Sequence, residues 1–382
     1  MTLRKSVVRL GCIVVGAVLG VIPARADTPP SAQKLIHELK LGPEVTAGWA
    51  SEQVVPQAWV EGARKEGKLR INGSWEPNVF QQLSKPFTER YPFIKINFTR
   101  GSNVTRVQGA LIAFGEGRTI TDVVTGIDSS INEFRQLNAL ADLGVLPNIK
   151  NIPERMRSSH GLWASIRLRY WCMSYNPTRI TKEEMPKTWD DLITTKKLQD
   201  GNLALWRGVS SWLLPLWSAK GEVWATEYVR KIFETVKPQK RKEGANALVK
   251  LVIAGEFNAS LASAEYQVKD LMGKGAPVGF YCPDIVPVSA STVGILKGNP
   301  DINASMLFLN WLLSKEGQLF QYTAEGSPPV HQDLQKMGFM PFPEAIAGKE
   351  IAFRNPELLD EDMKVMFRVL NPYWEGSAST SE

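Results

Sequence analysis

The chain has 382 residues, with 45 Lys and Arg against 39 Asp and Glu, a formal charge of +6, and 43% hydrophobic residues. That length exceeds the size at which one core keeps growing, so two domains are expected. No long Lys/Arg block provides the footprint that nucleic acid requires. At the start, Arg4, Lys5 and Arg9 precede an apolar run over 10–22, and Ala24-Arg25-Ala26 supplies a small-x-small cleavage site before Asp27. Residues 1–26 therefore read as a cleaved secretory signal peptide. The run is shorter than the ~20 apolar residues a membrane-spanning helix needs. Cys12 does not read as a lipidation site, because Arg9 interrupts the apolar box before it and most of the apolar run follows it. Four of the 45 basic residues and none of the acidic ones lie in the leader, so its removal lowers the charge from +6 to +2.

Residues 27–54 are Pro-rich and polar at their start and carry one short helical patch at Leu35, Ile36 and Leu39. They read as an N-terminal extension lying on the surface. A helix over 56–66 follows, with Pro at its start and Gly67 just past its end, and leads to a strand over 69–72. A helix carrying Phe80, Leu83 and Phe87 precedes a strand over 94–98; a helix carrying Val104, Val107 and Leu111 precedes a strand over 120–124. Alternation of this kind predicts a mostly parallel sheet with helices on both faces. A second α/β region opens near 166 with a strand over 168–175. Thr188 and Asp191 have the spacing of a variant capping box. Then come a strand over 203–206, a helix through Trp224, Tyr228 and Ile232, a helix through Leu248 and Val252 ending at Gly255, and a strand over 257–261. The chain returns through 278–282 to a strand at 293–296, a Lys-Gly-Asn-Pro turn at 297–300, and an amphipathic helix carrying Ala304, Leu307, Phe308, Trp311 and Leu312. A last helix over 357–370 precedes a Ser/Thr/Gly tail. Cys172 and Cys282, both in apolar strand-like runs, read as two buried thiols in neighbouring strands, in a compartment that permits pairing.

No catalytic arrangement emerges. The Gly62-to-Lys68 segment lacks the hydroxyl residue a phosphate loop needs at 69 and precedes a strand where it should follow one. Gly115-Glu116-Gly117 lacks the third glycine of a dinucleotide loop. The histidines, His37, His160 and His331, are too scattered for a local zinc motif. The acid pairs Glu183-Glu184 and Asp190-Asp191 sit at helix starts, where they complement the dipole. The chain is read as no enzyme, with no cofactor.

Ligands of open α/β sheets gather beyond the carboxyl ends of the strands. That rule selects Ser74 and Trp75, Ser102 and Asn103, Asp128 and Ser129, Arg207 with Ser210 and Ser211, and Glu265 with Tyr266 as candidate ligand residues. Ser102 and Ser129 also fit as helix caps, although a Gly-Ser-Asn helix start can equally receive an anion. Trp75 is expected in a cleft wall, stacking on a flat ligand. Ser210 and Ser211 are expected to face the ligand beside the cationic Arg207.

Residues 289–318, SASTVGILKGNPDINASMLFLNWLLSKEGQ, and the order of units over roughly 56–335 resemble the periplasmic solute-binding proteins of ABC importers, in the iron(III), polyamine and thiamine branch. The resemblance implies an α/β fold of two lobes (type II), each a mixed, mostly parallel sheet, joined by crossing strands near 163–172 and 282–289. It divides the chain into a signal peptide (1–26), an extension (27–54), lobe 1 (55–165), lobe 2 (166–283), a return to lobe 1 (284–335) and a C-terminal helical segment with a tail (336–382). It implies a monomer that captures a small-molecule solute in the periplasm and presents it to an inner-membrane permease. In iron-binding relatives adjacent tyrosines occupy the 265–266 loop. Here Glu265 replaces one of them, and the first-strand loop has no histidine. An organic or phosphorylated anion is therefore expected in the site, with no metal. Ferric iron on Tyr266 and Glu265 is the first alternative, since both are oxygen donors suited to a hard cation, and a secreted α/β enzyme is the second.

Overall fold

The computed structural model describes residues 28–102 and 104–374. The signal-peptide reading of 1–26 and the candidate Asn103 fall outside these residues, as does the tail beyond 374. Among the described residues ten strands run in chain order: β1 (Lys68–Gly73), β2 (Lys95–Arg100), β3 (Val123–Thr125), β4 (Ala164–Tyr175), β5 (Leu203–Trp206), β6 (Gln239–Arg241), β7 (Ala259–Ala264), β8 (Gly279–Tyr281), β9 (Ile285–Ile295) and β10 (Glu350–Phe353). They form a continuous ladder in the order β2-β1-β3-β9-β4-β7-β5-β6, with β8 paired to β4 and β10 to β9.

Two long strands divide this ladder into lobes. The first half of β4 pairs antiparallel with β9 from Ala164↔Val293 to Tyr170↔Val288. Its second half pairs with β7 and β8, from Trp171↔Ala264 onward. β9 in turn joins β3 through Val293 to Ile295. Away from these crossing strands each lobe is parallel, with β1 beside β2 and β3 in one, and β5 beside β6 and β7 in the other. Parallel strands are buried on both faces, so β7 reads Ala-Ser-Leu-Ala-Ser-Ala with every residue buried.

Local chemistry explains where the helices begin and end. The helix Gln57–Glu66 stops at Gly67, whose φ of +66° suits glycine. Ser314 caps the helix Lys315–Glu325 by accepting from the Gly317 N–H at 3.2 Å. Thr188 and Asp191 form their capping box reciprocally, at 2.9 and 3.1 Å, over a short 3₁₀ turn.

The extension 28–54 is a clamp on the first lobe and not a loose surface segment. Ala32, Leu35, Val45 and Trp49 are buried in its core. Glu52 accepts from the Lys315 N–H at 2.7 Å and lies 3.2 Å from His331 Nε2. At the other end, the helix Leu359–Trp374 buries Met366 and Leu370 in the core of the second lobe. Cys172 and Cys282 form a disulfide, which corrects the expectation of free thiols. Cys172 lies on β4 and Cys282 one residue beyond β8, and the pairing of those strands brings the two Cα atoms within 5.0 Å.

Candidate functional site

β4 carries Arg167, Arg169 and Trp171 at alternate positions of an otherwise apolar strand, so their side chains leave the same face of the sheet. Arg167 is only 6% exposed. It donates to both Glu325 oxygens at 2.8 and 2.9 Å and also to Ser74 Oγ at the end of β1. Arg169 donates to Glu325 Oε1 at 2.6 Å, lies 3.4 Å from Glu265 Oε1, and donates to Ser327 Oγ. Its guanidinium also sits 4.5 Å from the centre of the Tyr266 ring. Both arginines face a cavity of about 720 Å³, which Ser74 and Arg100 line from the first lobe and Tyr266 and Lys250 from the second. Pockets of this size between lobes are where small ligands commonly bind.

The electrostatics of this floor follow from burial and pairing. Burial by itself would raise the Glu325 carboxyl, but Arg167 and Arg169 outweigh it and hold the group down to about 2. Glu265 is fully buried. There burial wins, and the carboxyl rises to about 7 despite Arg169 and the Tyr170 N–H that it accepts at 2.7 Å. Desolvation lowers Arg167, whereas for Arg169 the two glutamates overcome the same effect and raise it. Burial likewise raises Asp128, against the Thr292 N–H and hydroxyl that it accepts at 2.6 and 2.7 Å.

The structure brings Ser74 and Tyr266 to one cavity, with Glu265 directly behind Arg169. The other candidates lie elsewhere. Trp75 is fully buried among Phe80 and Phe98, with centroids at 5.7 and 6.4 Å, and so presents no face to a flat ligand. Its place in the site is indirect, as a ring 5.2 Å beneath the Arg167 guanidinium. Ser102 accepts from the Thr105 N–H at 3.3 Å, the act of a cap. Ser210 and Ser211 are the first residues of the helix Ser210–Lys220, and Ser211 Oγ donates to the Gly208 carbonyl at 2.7 Å. Val209 stands at the N-cap of that helix, which no side chain caps, and neither serine lines the 720 Å³ cavity. Arg207, Asp128 and Ser129 are outside the lining of the 720 Å³ cavity, although Asp128 acts electrostatically on Arg167.

Sequence reasoning missed Arg167, Arg169, Glu325 and Ser327. The available signal was two charges at alternate positions in the run ASIRLRYWCMSY, which apolar strands seldom carry without partners. Their acidic partner lay some 150 residues downstream at a helix terminus, where nothing local marks it. Among the described residues no group of three or more His, Cys, Asp or Glu side chains is arranged to hold a metal ion. A ferric ion in this cavity would meet one phenol, that of Tyr266.

Comparison with known proteins places the fold. Over 220 residues the chain is 24% identical to iron uptake protein A1 of Synechocystis, an alignment covering 49% of this chain and 57% of that protein, little more than half of its length. Iron-bound HitA from Pseudomonas aeruginosa superposes with a TM-score of 0.63 at 19% identity, over 80% of this chain and 99% of that one. Trichodesmium IdiA (FutA), in complex with iron and citrate, gives 0.65 at 18% over 80% and 99%. The apo ferric ion-binding protein A of Pasteurella haemolytica gives 0.66 at 16% over 82% and 100%. These likenesses establish the two-lobed fold. Residues 68–319, about two thirds of the sequence, match one family along both lobes, and the chain belongs to the bacterial extracellular solute-binding proteins.

Proposed function

We propose that the protein is the periplasmic solute-binding component of an ABC importer, and that its cargo is ferric iron held together with an anionic carboxylate chelator. The relatives named above are iron proteins, which favours the ferric alternative over a purely organic or phosphorylated anion. The observation that carries the reading is the pairing of one phenol, Tyr266, with two guanidinium groups on one cavity. Ferric iron prefers hard oxygen donors, and a single phenolate leaves most of its coordination unfilled. Glu76 and Asp270 also line the cavity, but among the described residues no three such groups are arranged around a metal ion, so an anion supplies the remaining donors and Arg167 and Arg169 provide the positive charge to hold it. The protein then acts as a carrier and performs no chemistry on its cargo. It works as a monomer and presents the closed form to a permease. Closure about β4 and β9 is a hinge motion, driven only as far as the ligand binds the closed state better than the open one.

The test is optical. Ferric ion added with citrate to the metal-free protein is expected to produce a visible phenolate-to-iron charge-transfer band, and Tyr266→Phe is expected to abolish it. A wild-type protein that remains colourless sinks the ferric reading. Native mass spectrometry showing citrate alone on the protein would then return the assignment to an organic anion.

A further inference from the structure

One buried and one part-buried cation converge on one carboxylate at the floor of the cleft, and that carboxylate stands in an electrostatically poor place. Glu325 is the last residue of the helix Lys315–Glu325. A helix C-terminus carries partial negative charge and disfavours an acid. Glu325 is held there by Arg167, Arg169 and the Ser327 hydroxyl, which donates to its Oε2 at 2.6 Å. Its Oε1 is shared between the two guanidinium groups while its Oε2 also accepts from Arg167 Nη1, so both oxygens of one planar carboxylate are engaged. The same residue lines the 720 Å³ cavity, so the fork it fills opens toward the space where cargo is expected.

Glu325 also has somewhere to go. It lines a second, adjoining cavity of about 450 Å³ together with Lys269 and Lys274; Tyr266 and Asp270 border both. Lys274 is paired with Asp270 at 2.8 Å, whereas Lys269 lies 5.3 Å from the Tyr322 ring and beside Gly326. Gly326 adopts φ +77° directly after Glu325, a conformation that lets the chain turn away from the helix without a side-chain clash. A rotation of Glu325 toward Lys269 would exchange two cationic partners for one and leave the fork vacant.

We propose that Arg167 and Arg169 form a carboxylate-binding subsite, and that Glu325 is a built-in competitor that occupies it until the carboxylate of an incoming anion takes its place. Resting on the reading of an anion-assisted cargo, this names the chemical class the anion must have. A planar, bidentate carboxylate reproduces the bonds that Glu325 makes, and a monodentate anion such as chloride does not. The competitor sets a threshold, since only an anion offering further contacts in the cleft outbids a carboxylate that is already tethered at high effective concentration.

The experiment uses the full metal-free protein and iron-free citrate as probe, so its outcome does not depend on whether ferric ion gives a charge-transfer band. In titration calorimetry, Glu325→Gln is expected to bind citrate at least about tenfold more tightly than wild type, the equivalent of one lost charge-assisted competitor. Arg169→Gln is expected to lose binding. Citrate should raise the melting temperature of Glu325→Gln by more than that of wild type, a ligand-dependent rescue that a merely structural ion pair would not give. Unchanged or weaker citrate binding in a folded Glu325→Gln protein overturns the proposal. A crystal structure of the wild type grown with citrate needs no variant. It should show a citrate carboxylate in the fork and Glu325 turned toward Lys269, and Glu325 still bonded to both arginines beside bound citrate overturns the proposal equally.

Discussion

Glu265 and Glu325 are bonded to the same arginine yet respond oppositely to pH. The Glu265 carboxyl lies at about 7 in the folded protein, above its ordinary 4.5, because burial penalises its charge. Between those values the folded chain keeps a proton that the unfolded chain has released, so this contribution to stability falls as pH rises through the window and is level above it. Glu325, held down to about 2, acts the other way: its contribution is present above 4.5 and is lost as pH falls toward 2. Glu265→Gln keeps an acceptor for the Tyr170 N–H and removes the titration. Urea melts at pH 5 and pH 8 should therefore show a smaller loss for the variant, by on the order of 3 kcal/mol. Equal losses in both proteins would show that Glu265 does not titrate in that range. A second residue prediction concerns Glu316, 1% exposed, which accepts from Arg90 at 2.6 Å and from the Trp311 indole at 2.8 Å. Glu316→Ala removes the buried acceptor of the Trp311 indole N–H and should cost about 1–3 kcal/mol in denaturant melts. The sequence marked the burial and the arginine partner of neither carboxylate. The first was read as a ligand donor and the second as part of a familiar pattern, because burial and the reach of a distant arginine are tertiary facts.

At the scale of elements the reading was closer, because strand–helix alternation and end signals are local. The 203–206 strand, the Gly67 and Gly255 helix stops and the Thr188–Asp191 box are all where propensity and capping put them. What escaped was pairing. The strand at 293–296 is the end of the eleven-residue β9, whose earlier part contains Pro287 and alternates too little to read as a strand. Cys172 and Cys282 were expected in neighbouring strands, as β4 and the end of β8 are, but that their sulfurs bond across 110 residues no spacing rule gives. The disulfide closes a loop that holds nearly all of the second lobe, so its main effect is on the unfolded chain. Replacing both cysteines by alanine should lower stability by about 2–5 kcal/mol. Thiol reductant should lower the melting temperature of the wild type and not that of the double variant. A wild type indifferent to reductant after denaturation would show that the bridge contributes nothing.

The molecule as a whole adds a tether to the two-lobed plan. Residues 320–374 lie beyond the stretch that matches the family, and part of them reaches both lobes. β10 pairs parallel with the start of β9, itself a crossing strand. Glu357 then anchors to the first lobe, where its Oε1 accepts from the Trp163 indole at 2.7 Å and Ser158 Oγ at 3.1 Å, and its carbonyl accepts from the Asn132 amide at 3.1 Å. The helix that follows packs on the second lobe, with Phe233 and Tyr373 stacked at 5.5 Å and Lys240 donating to the Tyr373 and Trp374 carbonyls at 3.0 Å. One short segment therefore bridges elements that the proposed hinge closure would move relative to one another. Trp163 is 1% exposed, so Glu357→Ala leaves a buried indole N–H unsatisfied, at about 1–3 kcal/mol. If the anchor ties the lobes, the variant should also exchange amide hydrogens faster across 350–374 than in the β1–β2 ladder. Its small-angle scattering should report a wider spread of lobe separations in the absence of ligand. Exchange that speeds equally in β1 and β2 would mean that Glu357 supports global stability alone, and that the C-terminal segment places no restraint on the hinge.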